Sequence, residues 1–315
     1  MKLTGLERIP FNGREEWLNI RQSAGVGGSE ANAVIGQSPH MSKYRLWLLK
    51  TGKVEQEDIS DKEAVRLGND LEQYVADRFM EATGKKVQKC NFILKNPQYP
   101  FAFANPDRLV VGENAGLECK TTSSYEVLQE CKNGFPTRYY VQCVHYMAVT
   151  GADRWYLDVC CFGRGHFTFC LERNQAEIDA LMEAEREFWD MVRNDIAPEI
   201  DGSDSTTEGI RTYYGQSDGS TVDLTPVASA LDMRSKLKAQ IDELKDLLQE
   251  QENIITSYMG AAETGTYGRY KVSWKNGTRK SVDYKAYEAS HAGCFSEYTT
   301  INSTRTFRVT EKKEK

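Results

Sequence analysis

Residues 105–122, NPDRLVVGENAGLECKTT, limit what this chain can become more than any other stretch, because they space two acids and a lysine for one β-hairpin. Strand side chains alternate faces, so Glu118 and Lys120 share one side while Leu117 and Cys119 point to the other. The glycine-bounded turn at 112–116 folds the strands together and brings Asp107 toward the Glu118 side. Two carboxylates and an ammonium then converge on one small volume, an arrangement that a divalent cation with oxygen ligands commonly compensates. Read alone, the same residues equally describe an ordinary hairpin with a charged, solvated face.

The 315 residues suffice for one large core with an appendage, or for two modest domains. With 40% hydrophobic and 27% charged residues the composition is that of a soluble globular protein. No apolar run reaches the roughly 18 residues that span a bilayer, and the start MKLTGLERIP has no apolar signal region. A protein neither membrane-embedded nor exported is expected, with cytoplasmic localisation. Its 8 cysteines include no C-x-x-C pair, so reduced and mostly buried thiols are expected. Their spacing also lacks the close C-terminal triplet of an iron–sulfur nuclease. A net charge of −6 draws nothing globally to a polyanion, so DNA binding would have to rest on local basic patches and metal ions.

Along the chain, 14–21 has helical spacing and is followed by the glycine-rich 25–28, with Ser29 as the expected N-cap of the next helix. A serine hydroxyl and free N–H groups at a helix start, with Arg21 alongside, suit an anion. No nucleotide-binding glycine motif is present, and tight-turn glycines explain the stretch as well. Residues 42–50 predict a short helix capped by Ser42, and 62–83 a long one with Glu72 at the edge of its apolar stripe. Residues 87–94 predict a strand. Residues 139–150 predict a helix with Gln142 and Tyr146 one turn apart on a shared face, and His145 off that face in a structural role.

Two strands at 154–162 and 166–171 and an amphipathic helix at 175–194 complete an α/β core with a mixed central β-sheet flanked by helices. The domain division expected is a core over 1–200, a linker or surface loop over 201–225, and a C-terminal part over 226–315. That last part holds a coiled-coil-like helical arm and a basic β-hairpin turning at Asn276-Gly277. The hairpin suits nucleic acid, a partner protein, or solvent.

The order of these features, Arg21, GVGGSEA, Leu71-Glu72, Pro106-Asp107, Glu118-Cys119-Lys120 and QxxHY at 142–146, resembles the YqaJ-type viral recombinases. These are lambda-exonuclease-like members of the PD-(D/E)xK nuclease superfamily. The resemblance covers roughly residues 10–195 and implies a restriction-endonuclease-like core. It implies that Asp107 and Glu118 are metal-binding acids, Lys120 the catalytic lysine, Glu72 a helix-borne acid and Gln142 the motif glutamine. Arg21 and Ser29 match residues that grip a 5′ phosphate. Asn105 stands where the lambda enzyme has serine, and Tyr146 closes the motif beside it.

The chemistry fits those residue types. Phosphodiester hydrolysis needs a nucleophilic water and neutralised charge at phosphorus, both of which metals supply. Asp107 can bridge two Mg²⁺ ions, Glu118 and the Cys119 backbone carbonyl can hold one, and Glu72 can complete the shell; Mn²⁺ is the expected substitute. Lys120 orients or deprotonates the water, and Gln142 positions Lys120 or that water. The expected activity is 5′-to-3′ digestion of double-stranded DNA ends, leaving 3′ overhangs for a single-strand annealing protein. A homo-oligomer, by resemblance a ring trimer, and a phage or prophage origin in a bacterial cytoplasm are also implied. The competing readings are an endonuclease or branched-DNA nuclease of the same fold, and a non-catalytic DNA-end-binding scaffold.

Overall fold

The computed structural model describes residues 3–300 and 306–310. The chain divides between Gly215 and Gln216 into two compact units. The first unit begins with β1 (Glu7–Pro10), α1 (Gly13–Ser23), β2 (Val26–Gly27), α2 (Gly28–Val34), α3 (Lys43–Lys50) and α4 (Glu63–Thr83). Five strands follow: β3 (Val87–Lys89), β4 (Phe92–Lys95), β5 (Ala102–Ala104), β6 (Arg108–Val110) and β7 (Ala115–Thr122). Then come α5 (Tyr125–Asn133), α6 (Thr137–Thr150), β8 (Arg154–Cys161), β9 (Gly165–Glu172), α7 (Gln175–Arg193) and α8 (Asp204–Tyr213).

The strands form two sheets where the sequence suggested one. A mixed five-stranded sheet runs β3-β6-β7-β8-β9, and a four-stranded sheet runs β1-β4-β5-β2. The segment read as one strand over 87–94 is the seam: β3 pairs with β6 in the larger sheet, while β4 pairs with β1 and β5 in the smaller. Within the larger sheet β6 and β7 are the expected antiparallel hairpin, and β7 runs parallel to β8. That parallel pair needs a crossover, which α5 and α6 supply.

The faces follow the pleat. Ala76 and Phe79 of α4 pack on Val110, Leu117 and Tyr156, while Val141, Val144 and Ala148 of α6 lie in the cluster that holds Trp155, Leu157 and Val159. Phe79 is fully buried, a burial of about 2–3 kcal/mol. Because Leu117 faces α4, its neighbour Glu118 faces α6.

Three local expectations change. Gly27, not Ser29, caps α2, and Glu30 in its first turn accepts the Gly27 N–H; the chain turns helical two residues earlier, with Gly28 close against α6. A Cβ at Gly28 would lie 2.5 Å from the Tyr146 ring, and Gly25 takes φ +127° against the Phe101 carbonyl. Both positions therefore require glycine. Ser42 does cap α3, accepting the Arg45 N–H at 3.1 Å, a cap worth about 1 kcal/mol. Second, residues 201–225, expected to be linker, contain α8: Ser203 caps it by accepting from Thr206, and Gly209 lets it lie close to Leu48 of α3.

The second unit holds α9 (Ala228–Met259), the hairpin β10 (Thr264–Tyr267) and β11 (Tyr270–Ser273), and α10 (Tyr284–Ser290). The third change lies here. The hairpin turns at Gly268-Arg269 rather than Asn276-Gly277, because Gly268 at φ +55° supplies the left-handed residue a two-residue turn requires. Residues 278–282 are not a strand. Leu237, Ile241, Leu244 and Leu248 of α9 are all exposed. Among the described residues no helix is long and apolar enough to cross a membrane.

Candidate active site

A cavity of about 670 Å³ opens between the two sheets, lined by Trp17, Arg21, Ser29, Glu72, Asn105, Asp107, Glu118, Gln142 and Tyr146 among others. Eight of the expected site residues thus meet, drawn from α1, α2, α4, the entry to β6, β7 and α6. Lys120 joins them through Glu118.

Glu118 sits at the centre, 3% exposed. Its Oε1 accepts from Gln142 Nε2 at 2.6 Å and lies 2.5 Å from Lys120 Nζ. Its Oε2 is buried with no hydrogen-bond partner among the described residues. Leaving a carboxylate oxygen in that state costs several kcal/mol, so the site is incomplete as protein alone. Asp107 accepts the Cys119 N–H at 2.8 Å through Oδ2. Burial, then the Glu118 charge, pushes Asp107 well above the ordinary carboxylate range, with Glu72 adding to the rise against the opposing pull of Lys120 and the Cys119 N–H.

The N–H and C=O of a strand residue leave by the same edge, so the Cys119 carbonyl emerges on the Asp107 side. The donors present are hard oxygens beside a buried oxygen that lacks a partner, and this set fits a divalent cation. Lys120 lies 5.5 Å over the Tyr139 ring. Burial would depress its ammonium, but Glu118 and Asp107 outweigh that and raise it.

Several placements differ from expectation. Glu72 is salt-bridged to the buried Arg108, whose guanidinium also donates to Gln73 Oε1 at 3.1 Å and to the Asp107 carbonyl at 2.8 Å. Among the described residues no cluster of three or more acids, histidines or cysteines forms a metal centre. The acid–acid pair stands without Glu72 because Arg108 claims that side chain. Gln142 holds Glu118 and donates to the Tyr146 hydroxyl at 3.0 Å, rather than reaching Lys120. Tyr146 donates onward to the Asn105 carbonyl at 3.3 Å, so its proton is committed to backbone rather than aimed at a phosphate.

The other end of the cavity is cationic. Arg21 donates to Ser29 Oγ at 2.9 Å, and its guanidinium lies 4.6 Å from the Trp17 ring centroid and 5.3 Å from that of Phe103. Trp17 also donates its indole N–H to Asn105 Oδ1 at 2.6 Å. An indole only donates, so this bond fixes the Asn105 amide with its NH₂ turned away from Trp17. Trp17, Glu30, Lys50 and Arg108 were not singled out from sequence. Their signals were the Trp17-x-x-x-Arg21 helical spacing, the acid directly after Ser29, the lysine ending α3, and the arginine directly after Asp107. His145 is structural as expected: fully buried, its Nδ1 lies 2.7 Å from Glu185 and its Nε2 2.8 Å from the Phe103 carbonyl.

Residues 16–153 match the YqaJ-like viral recombinase domain. The uncharacterized protein YqaJ of Bacillus subtilis (strain 168) is 35% identical over 303 residues, covering 95% of this chain and 94% of that one. The alkaline exonuclease LHK-Exo of Laribacter hongkongensis superposes with a TM-score of 0.50 at 22% identity, covering 58% of this chain and 94% of that one. That likeness is one of fold. On its match to YqaJ over nearly its whole length, the chain belongs to the YqaJ-like viral recombinase family.

Proposed function

We propose that the chain is a Mg²⁺-dependent 5′-to-3′ exonuclease that digests double-stranded DNA from its ends and leaves 3′ overhangs for strand annealing. The observation that carries the reading is the partnerless Glu118 Oε2 beside the crowded Asp107 carboxylate, in the same cavity as the Arg21 guanidinium. Asp107, Glu118 and the Cys119 carbonyl would hold Mg²⁺, with Mn²⁺ as substitute. The ions would neutralise charge at the scissile phosphate and make water a stronger nucleophile. Glu72 reaches the same centre, directly or through water, when Arg108 releases it.

The protein's own groups do the rest. Lys120, held as an ammonium by the acids beside it, orients the attacking water as a donor and adds positive charge where the transition state gains negative charge. Gln142 fixes the Glu118 carboxylate by occupying Oε1, which leaves Oε2 facing the missing partner. Arg21, Ser29 and the Asn105 NH₂ group offer donors to a terminal 5′ phosphate, and a planar guanidinium stacked between two rings suits that task. Tyr146 holds the Asn105 backbone in place. A homo-oligomeric ring and an annealing protein that receives the exposed strand extend the same proposal, supported by membership in a recombinase family.

The test is digestion of linear duplexes labelled at the 5′ or at the 3′ end, beside a covalently closed circle, with Mg²⁺ and with a chelator. The expected result is release of 5′ label, an intact circle, and no release without metal. Cutting of the closed circle would overturn the exonuclease reading, and release of a 3′ label first would overturn the polarity.

A further inference from the structure

Behind Arg21 lies a second cation that the activity just described does not use. Lys50 ends α3, and its side chain is 3% exposed. Its Nζ lies 2.8 Å from Glu30 Oε2 and donates to the Arg21 carbonyl at 2.8 Å. Glu30 Oε2 also accepts the Gly27 N–H, whereas Glu30 Oε1 stands 3.8 Å from the Arg21 guanidinium, beyond hydrogen-bond reach. Arg21 spends its bond on Ser29 instead. One acid therefore sits between two cations and is bonded to the one farther from the cavity.

Burying an ammonium here is costly. Desolvation pulls Lys50 below its ordinary range even with Glu30 in contact, and Arg21 adds repulsion. An apolar side chain of similar volume would pack the same space without that cost. Lys50 does two things an apolar residue would not do: it bonds the Arg21 carbonyl, and it occupies the Glu30 charge. Without it, Glu30 and Arg21, a loose ion pair at 3.8 Å, would close into hydrogen-bonded contact, and the guanidinium would meet an incoming phosphate with its charge cancelled.

We propose that Lys50 is a positioning residue for DNA-end recognition: by holding Glu30 in a hydrogen-bonded ion pair it keeps that acid in only a loose pair with Arg21, so that the guanidinium retains donors and net positive charge for the terminal 5′ phosphate. The proposal rests on the reading of Arg21 as the phosphate ligand. It assigns Lys50 no contact with DNA, and it makes Glu30 the residue whose charge must be kept occupied.

The measurement is kcat/KM of the full chain on duplexes ending in 5′ phosphate against the same duplexes ending in 5′ hydroxyl. In Lys50→Met the preference for phosphate is expected to fall about tenfold through KM, the scale of one charge-assisted contact. In the double variant Lys50→Met/Glu30→Gln the preference is expected to return, although the bond from Lys50 to the Arg21 carbonyl is still missing. Lys50→Arg and Glu30→Gln alone should keep it, which preserves the test if Lys50→Met folds poorly. A double variant as poor as the single, or a Glu30→Gln variant that loses the preference, would mean that Lys50 only anchors α1 and would overturn the proposal. An unchanged preference in Lys50→Met would overturn it too. A wild-type enzyme with no preference for phosphate would instead sink the Arg21 reading and this inference with it.

Discussion

The two ends of the cavity are built on opposite imbalances. At the hairpin end, Asp107 and Glu118 share one ammonium, Lys120, and a buried carboxylate oxygen is left over. At the helical end, Arg21 and Lys50 share one acid, Glu30, and a guanidinium is left over. Elsewhere in the cavity wall Glu72 closes a pair with Arg108. Excess charge at each end of the cavity thus stands where a ligand of the opposite sign would complete it: a cation at one end, an anion at the other. The difference teaches where each half of a metal-dependent phosphate chemistry would sit.

The largest effect that would break this contrast is expected at the hairpin end. Lys120→Ala should lower the turnover of DNA ends on the order of 10³-fold, as loss of a donor to a developing charge does, while duplex binding stays measurable. Digestion at the wild-type rate would remove the hairpin from the chemistry. At the other end, Arg21→Ala should raise KM for 5′-phosphate ends about tenfold to a hundredfold with kcat little changed. A fall in kcat alone would show that the two ends do not divide the work.

The smallest effect concerns stability without metal. Asp107 has its folded pKa raised above the unfolded value, chiefly by burial and then by Glu118. Such an acid keeps its proton longer in the folded state. It therefore destabilises the fold as pH rises from the ordinary value of 3.8 through the raised one. Asp158, pushed up to about 7 by burial, gives a slope of the same sign, so the readout is the difference between wild type and Asp107→Asn. In chelator, denaturant titrations should show Asp107→Asn gaining stability relative to wild type as pH rises from the acid end of that window to neutral. A difference independent of pH would mean that the acid pair is not crowded.

The hairpin end was legible in the sequence, whereas at the helical end Arg21, Ser29 and Asn105 were read as phosphate contacts but Glu30 and Lys50 were not, for a physical reason. Glu118 and Lys120 are two residues apart on one strand, so the period of the pleat places them together, and the turn delivers Asp107. The 3.6-residue repeat likewise put Gln142 and Tyr146 on one face. Arg21, Glu30, Lys50 and Asn105 come from α1, α2, α3 and the end of β5, and only tertiary packing brings them together. The same limit hid the division into two sheets, since alternation in 87–94 reads as one strand and nothing local marks where the chain changes partners. It also hid α8, whose polar composition resembles a linker until Gly209 is seen against Leu48.

Within little more than one turn of α6, Gln142 holds Glu118 of β7, His145 holds the Phe103 carbonyl of β5, and Tyr146 holds the Asn105 carbonyl just beyond it. Those contacts bridge the five-stranded sheet and the four-stranded one. The gap between the acids and the Asn105 segment beside the cationic cradle is therefore spanned by one helix, whose two contacts lie about one turn, about 5.4 Å, apart along it. In a nuclease of the kind proposed, that gap sets how far from a gripped end the bond is cut, so the product length would be written into a rigid helix.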